Sequence, residues 1–320
     1  MAIEMIACAD DDGRRLDRLL RKALPALPLS ALHRLLRQGR ILVNGTPAEG
    51  ADRVTAGSVI TIPEGAVETS AGRAQQFPAV PAQSIKTAGP PQRAPAWGPL
   101  WEGAGLLILN KPKGIAVHGP ESLETQVRVY LAERLPPSLS FRPGPLHRLD
   151  KPTSGIMVFS VSLEGARYFS ALLRERRITK RYLALVDGNL ATPVVWEDML
   201  IRDTTQEKTF IAGKDQGGAK NAGTTVVPLA SSLGYTLIMA EINTGRTHQI
   251  RAQAAFHGHP LAGDKKYGGT FQPGGFLLHA ATLVFPPEEA PKVPTILQAP
   301  LPPPFIKRIH ELWGGAVKIP

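Results

Sequence analysis

The sequence predicts an α+β fold: a large domain built on a mixed, mainly antiparallel sheet with helices against it, joined to a small N-terminal domain. Three observations carry that expectation. Apolar runs of strand length recur through the chain, at 106–110, 156–159, 180–186 and 235–242. Helical spacing is set among them, near 162–176 and 247–257. The composition also breaks at 64–98, where Ala, Pro, Gln, Gly and Ser displace any period. That stretch reads as an extended linker between a domain at 12–63 and one at 99–315.

The N-terminal domain is small and basic. Leu16, Leu19 and Leu20 share one face of a first helix, which Pro25 and Pro28 interrupt. Ser30 is a plausible cap for a second helix with Leu32, Leu35 and Leu36 inward, and Gly39 ends it. Asn44-Gly45 marks a hairpin, and residues 59–62 supply a later strand. Arg14, Arg15, Arg18, Arg21, Lys22, Arg34, Arg37 and Arg40 face a single acidic residue, Asp17, over that span. By itself this is a solvated basic face. The order Ser-x-x-x-Arg-x-x-x-x-Gly-x-Ile-x-Val-Asn-Gly from Ser30 to Gly45, however, resembles the alpha-L RNA-binding motif. That resemblance implies phosphate contacts from Arg34, Arg37 and Arg40.

Composition narrows the class. Lys and Arg number 37 against 27 Asp and Glu, a net charge of +10 that favours a polyanionic partner, nucleic acid before membrane. A single cysteine, Cys8, excludes an internal disulfide framework and fits a reducing compartment. No basic-then-apolar leader opens the chain, and no segment has the roughly 18 apolar residues of a membrane span. A cytoplasmic protein with no membrane association is expected.

The chemistry-bearing stretch is Leu146-His147-Arg148-Leu149-Asp150-Lys151-Pro152-Thr153-Ser154-Gly155, followed by the apolar run at 156–159. Pro152 stiffens the loop and Gly155 permits a turn, so a carboxylate at Asp150 is held beside a core strand between two cations. Read alone, Asp150 is a surface ion pair or a turn residue. A kinase reading fails, because Leu149 separates Arg148 from Asp150 and no glycine-rich phosphate loop is present. Three further phrases stand in the chain: Asn-Lys-Pro-x-Gly-x-x-Val-His at 110–118, Lys-x-Tyr-x-Ala-x-Val at 180–186, and Thr-Gly-Arg-Thr-His-Gln-Ile-Arg at 244–251.

Together with His-Arg-Leu-Asp-x-x-Thr-Ser-Gly at 147–155, these phrases resemble the RluA family of RNA pseudouridine synthases. The resemblance implies the pseudouridine synthase fold and isomerisation of uridine to pseudouridine in large-subunit ribosomal RNA; separately, the chain is expected to be a monomer. The bond from ribose to a ring nitrogen breaks, the uracil turns, and a ring carbon joins the ribose. No group is gained or lost and no redox change occurs, so no cofactor and no metal is called for. Asp150 would start cleavage, as nucleophile or base. Tyr182 would stack on the flipped base, and Arg246, opposite Asp150, would keep the carboxylate ionised. Arg148 would fill the space the base leaves, and Ile250 would pack against that base.

His118 stands as a substrate contact or a structural residue, and Lys180 as part of a phosphate-binding rim with its basic neighbours. Thr247 can cap the helix that follows. His248, His257 and His259 bring no third-ligand pattern, so a metal site is rejected. Gln253 stands where family members usually carry His, a departure that touches helix packing more than chemistry. The segment 189–225 reads as a hairpin with loops and tells little of the chemistry. A non-catalytic RNA-binding factor is the alternative class, and the presence of Asp150, Tyr182 and Arg246 argues against it. A glycosidase would need a second carboxylate paired with Asp150.

Overall fold

Leucine spacing builds the N-terminal unit. Helix α1 (Leu16–Ala23) buries Leu16, Leu19 and Leu20, and α2 (Leu29–Arg37) buries Leu32, Leu35 and Leu36. Pro28, not Ser30, sits at the N-cap of α2. The helix thus begins before the serine, because proline's fixed backbone angle suits a helix entry. Strands β1 (Ala2–Ile6), β2 (Arg14–Arg15), β3 (Leu42–Val43), β4 (Thr46–Pro47), β5 (Arg53–Val54) and β6 (Val59–Pro63) complete it. They form a four-stranded sheet in the order β1-β6-β3-β4 and a pair β2-β5. Asn44 and Gly45 are the two loop residues of the β3–β4 hairpin, both at positive φ (51° and 79°), as a twist-matched two-residue turn requires.

The computed structural model describes residues 2–63, 97–132, 134–135, 138–213, 216–314 and 317. The linker expected at 64–98 lies outside the described residues up to 96; Trp97 is fully buried and Gly98 opens a strand. The chain divides into two compact units, and the first adds segments within 128–144 and 161–164 to the N-terminal stretch. The sequence placed those segments in the large domain.

Asp11 explains part of that assignment. Its carboxylate is fully buried and accepts hydrogen bonds from the backbone N–H of Cys8, Leu139 and Ser140 and from the hydroxyls of Ser138 and Ser140, at 2.6–3.1 Å. Burial acts to raise its pKa, but the hydrogen bonds from Ser140, Cys8, Leu139 and Ser138 outweigh it and hold the carboxyl below its ordinary value. Asp11→Ala strands these donors and should destabilise the unit by about 2–4 kcal/mol. Because the folded-state value lies below the unfolded one, this stabilisation is complete above the ordinary carboxylate range and is lost as pH falls from that range through the lowered folded-state value. Urea denaturation at about pH 7 and about pH 3 should show the variant's deficit shrinking in acid.

The second unit is built on a sheet of β7 (Gly98–Gly103), β8 (Leu106–Lys111), β9 (Gly144–Pro145), β10 (Ser154–Ser160), β11 (Thr179–Asp187), β12 (Val194–Asp203), β13 (Lys208–Ile211), β14 (Lys220–Ser232), β15 (Tyr235–Ile242), β16 (Leu278–Val284) and β17 (Ile296–Gln298). The path is β13-β12-β14-β15-β11-β16-β10-β8-β7, with β17 on β16 and β9 on β10. Among the described residues β10 and β16 run parallel, while the pairings along the rest of that path, and β17 on β16, are antiparallel. The mixed, mainly antiparallel α+β expectation therefore holds. Helix α3 (Leu123–Ala132) runs across the boundary between the units, which falls after Val127, while α4 (Leu163–Arg174), α5 (Gln249–Phe256) and α6 (Pro303–Trp313) accompany the strands. Phe169 and Leu172 of α4 pack with Leu106, Ile108, Ile156 and Val158.

Register places the chemistry. Ala280 of β16 is paired with Gly155 on one side and Tyr182 on the other. Two strand spacings of about 4.8 Å therefore separate Tyr182 from the strand that follows the Asp150 loop. Gly155 itself lies inside β10 rather than in a turn before it. Its φ is +112°, and a Cβ there would collide with the Ala280 carbonyl oxygen, so glycine permits the close parallel approach.

Candidate active site

The Asp150 loop is held by its backbone. The Thr153 N–H bonds to the Asp150 carbonyl at 2.9 Å. The Lys151 carbonyl accepts from the Gly114 N–H at 2.9 Å and from the Lys111 ammonium at 3.2 Å. Lys111 is fully buried at the end of β8, and its remaining bonds go to the carbonyls of Pro112 and Ile115. Burial draws this ammonium down to about 8, against the opposing pull of Asp150. The Asn-Lys-Pro phrase is thus a clamp on the loop that carries Asp150.

Two histidines fix the strand beyond the loop. His147 Nε2 accepts the Val158 N–H at 3.1 Å, and burial together with the charge of Lys180 pushes its pKa down to about 3. His279 is drawn to about 4 by burial, opposed by its bond to the Ala299 carbonyl; it also lies 2.9 Å from the Ser154 hydroxyl. Both are neutral, His279 at the entry to β10 and His147 against its middle.

A cleft opens where this loop faces β11 and the stretch joining β15 to α5. Arg148, Asp150, Tyr182, Arg246 and Ile250 all line it, so the structure brings together five of the residues singled out from sequence. Tyr182 is buried, and burial together with the negative charge of Asp150 raises its phenol above the ordinary value. The phenol stays protonated, and its ring offers a flat apolar surface beside the carboxylate. Arg148 is exposed on the rim.

The cation on Asp150 is not Arg246 but Arg251. Arg251 Nη1 donates to Asp150 Oδ2 at 3.2 Å, while Nε and Nη2 make a fork to Asp264 at 2.6 and 2.9 Å. Its guanidinium lies over the rings of Tyr267 and Phe276, 5.0 and 4.6 Å from their centroids. Arg246 instead bonds through Nε to the Asn221 carbonyl at 3.2 Å. The reason is the turn. Gln249 Oε1 accepts the Arg246 N–H and the Thr244 hydroxyl, and its amide donates to Gly223 and Thr224, so residues 244–246 are stapled toward β14. Arg251, on the first turn of α5, faces Asp150.

Thr247 does not cap α5; His248 is at the N-cap, in a left-handed conformation with no side-chain cap bond. Lys180 reaches Gly245, where an added carbon would be 3.7 Å from its Nζ; burial lowers its pKa, and it does not line the cleft. His118 does not line the cleft; it is exposed and pairs with Glu124 at 2.9 Å. Arg34, Arg37 and Arg40 are exposed in the N-terminal unit. Gln253 is buried, bonded to Trp196, Asp198, Ala222 and Thr224, and holds α5 on β12 and β14.

The three histidines considered for metal go separate ways: His248 to the cleft, His257 to Asp198 at 3.1 Å, and His259 to the Asp187 carbonyl at 3.0 Å. Arg251, Lys111, Asp264 and His248 are the residues that sequence reasoning did not assign. The repeated Arg within Thr-Gly-Arg-Thr-His-Gln-Ile-Arg was the available signal for the first.

Comparison with known proteins gives the family and the fold. A family model described as RNA pseudouridylate synthase matches residues 105–256, and an S4 domain model matches 14–60. The chain is 33% identical over 287 residues to a ribosomal large subunit pseudouridine synthase C of Vibrio cholerae, covering 86% of this chain and 87% of the relative. It is 34% identical over 261 residues to the protein of that name from Escherichia coli, covering 81% and 78%. Among solved structures it resembles human RNA pseudouridylate synthase domain containing 4, with TM-score 0.57 and 25% identity over 70% of this chain and 94% of that one. Among the described residues no helix is long and apolar enough to cross a membrane.

Proposed function

The chain belongs to the RNA pseudouridine synthase family, and from that premise we propose that it isomerises uridines of large-subunit ribosomal RNA with Asp150 as the initiating group. The observation that carries this reading is a single cleft holding the Asp150 carboxylate, an arginine on that carboxylate and the Tyr182 ring. The name shared by the relatives supports the RNA class.

The target uridine leaves its stack, at a cost of a few kcal/mol, and Arg148, exposed at the cleft, fills the gap. Tyr182 stacks on the uracil, worth about 1–3 kcal/mol. Asp150 then opens the glycosidic bond, by adding to the anomeric carbon or by taking the neighbouring ribose proton. The freed uracil turns and its ring carbon bonds to the anomeric carbon; on the first route the Asp150–sugar bond breaks as this bond forms, and on the second Asp150 returns the proton to the ribose. The uracil ring carbon then loses its own proton, and the former glycosidic nitrogen gains one. The atom count is unchanged.

Incubation of unmodified large-subunit ribosomal RNA with the protein, followed by chemical mapping of pseudouridine, tests the reading. New pseudouridines at discrete positions support it; none, with the RNA bound, rejects it. The N-terminal unit supplies the electrostatic hold. Replacing Arg34, Arg37 and Arg40 together by Gln should weaken RNA binding and flatten the log Kd against log salt slope by about 0.7–0.9 for each phosphate no longer neutralised. An unchanged slope removes these arginines from the interface.

A further inference from the structure

His248 enters the cleft beside the carboxylate that opens the glycosidic bond. Its Nε2 lies 3.5 Å from Asp150 Oδ2, and its side chain is largely buried. Its other nitrogen fixes its protonation pattern. Nδ1 is 3.0 Å from the Tyr267 hydroxyl and 3.4 Å from Arg202 Nη1. A guanidinium can only donate. The Tyr267 oxygen already accepts the Thr209 N–H at 2.9 Å, so its own proton is free to point at the imidazole. Nδ1 is therefore an acceptor, and the ring proton sits on Nε2, toward Asp150.

The carboxylate shows a matching asymmetry. Arg251 also reaches Oδ2, at 3.2 Å, whereas Oδ1 has no hydrogen-bond partner among the described residues. The backbone at His248 is left-handed, with φ 53° and ψ 22°, a conformation that a non-glycine residue adopts at a cost. That conformation places the ring at the mouth of α5, against Tyr267 edge-on, with the centroids 5.7 Å apart.

We propose that His248 is a positioning residue for Asp150: its Nε2–H and Arg251 together anchor Oδ2 and leave Oδ1 to meet the ribose. The inference rests on Asp150 being the initiating group. Burial draws the imidazole down to about 4, with Asp150 pulling the other way and Arg251, Arg202 and Lys266 adding to the depression. At neutral pH the ring is thus an uncharged donor that steers the carboxylate without neutralising it. The 3.5 Å gap is one that a bound substrate can close, as such bonds commonly tighten in the reactive complex.

The test is steady-state kinetics on large-subunit ribosomal RNA with His248→Ala, His248→Gln and Asp150→Asn, alongside melting temperature and RNA affinity for each. His248→Ala should lower kcat by roughly 10- to 100-fold, the scale of a reacting group displaced by about 1 Å, with KM and Kd unchanged. His248→Gln can place an amide N–H near the Nε2 position and should recover most of the rate. Full kcat in His248→Ala overturns the proposal, as does a raised KM with kcat untouched, which marks an RNA contact instead. A folded His248→Gln as slow as His248→Ala also overturns it, and His248→Gln decides the matter should the alanine variant fail to fold. An active Asp150→Asn sinks the assignment of the initiating group itself. An inactive Asp150→Asn beside a full-rate His248→Ala sinks this inference alone.

Discussion

Asp150→Asn should abolish pseudouridine formation, a loss of about 10³-fold or more, while RNA affinity stays within about twofold. The substitution keeps the size and the hydrogen-bonding shape of the side chain and removes only its charge and basicity. Arg251 keeps its fork to Asp264, so the loop should stay in place and the melting temperature should barely move. Single-turnover assays with enzyme in excess of RNA, read by chemical mapping, separate this outcome from a binding defect. Retained turnover would mean that another group opens the glycosidic bond.

Arg251→Met should cost both stability and rate. Asp264 is almost fully buried, and removing its partner leaves an uncompensated carboxylate, an effect of about 3–5 kcal/mol. The same change frees Asp150 Oδ2 and should lower kcat by about 10²-fold in whatever fraction stays folded. Arg251→Lys should not rescue, since one ammonium cannot make the fork to Asp264 and still reach Asp150. Arg246→Ala, by contrast, removes a partly exposed bond to the Asn221 carbonyl and should shift stability by less than about 1 kcal/mol. Urea denaturation and kcat measured on the pair decide between the two arginines. A loss of rate in Arg246→Ala as deep as in Arg251→Met would return the ion-pairing role to Arg246.

Much of this molecule could be read without coordinates because its signals are local. The leucines of α1 and α2, the Asn44-Gly45 turn and the strand at Tyr235–Ile242 each follow from a few neighbouring residues. The phrases around Asp150, Tyr182 and Ile250 also led to one cleft. What escaped depends on partners far along the chain. Asp11 looks like an ordinary acidic residue until Ser138 and Ser140 close on it. Gly155 reads as a turn former until the Ala280 backbone is beside it. Arg246 and Arg251 sit in one short phrase of sequence. Only the stapling of the turn by Gln249 and the first turn of α5 determine which of them faces the carboxylate. The left-handed backbone of His248 could not be read from sequence, because histidine is enriched there over most non-glycine residues yet only a small share of histidines adopt it.

The cleft has a consequence for how the chain reaches activity. Asp150 and Arg251 are 101 positions apart, and the strand after Asp150 is placed by a parallel pairing with β16, which is more distant still. Contacts of such long sequence separation carry a loop-closure cost that local helices and hairpins do not, so they form late. Turnover is thus among the last properties a newly made chain acquires, and it certifies completed topology in a way that helix or strand content does not.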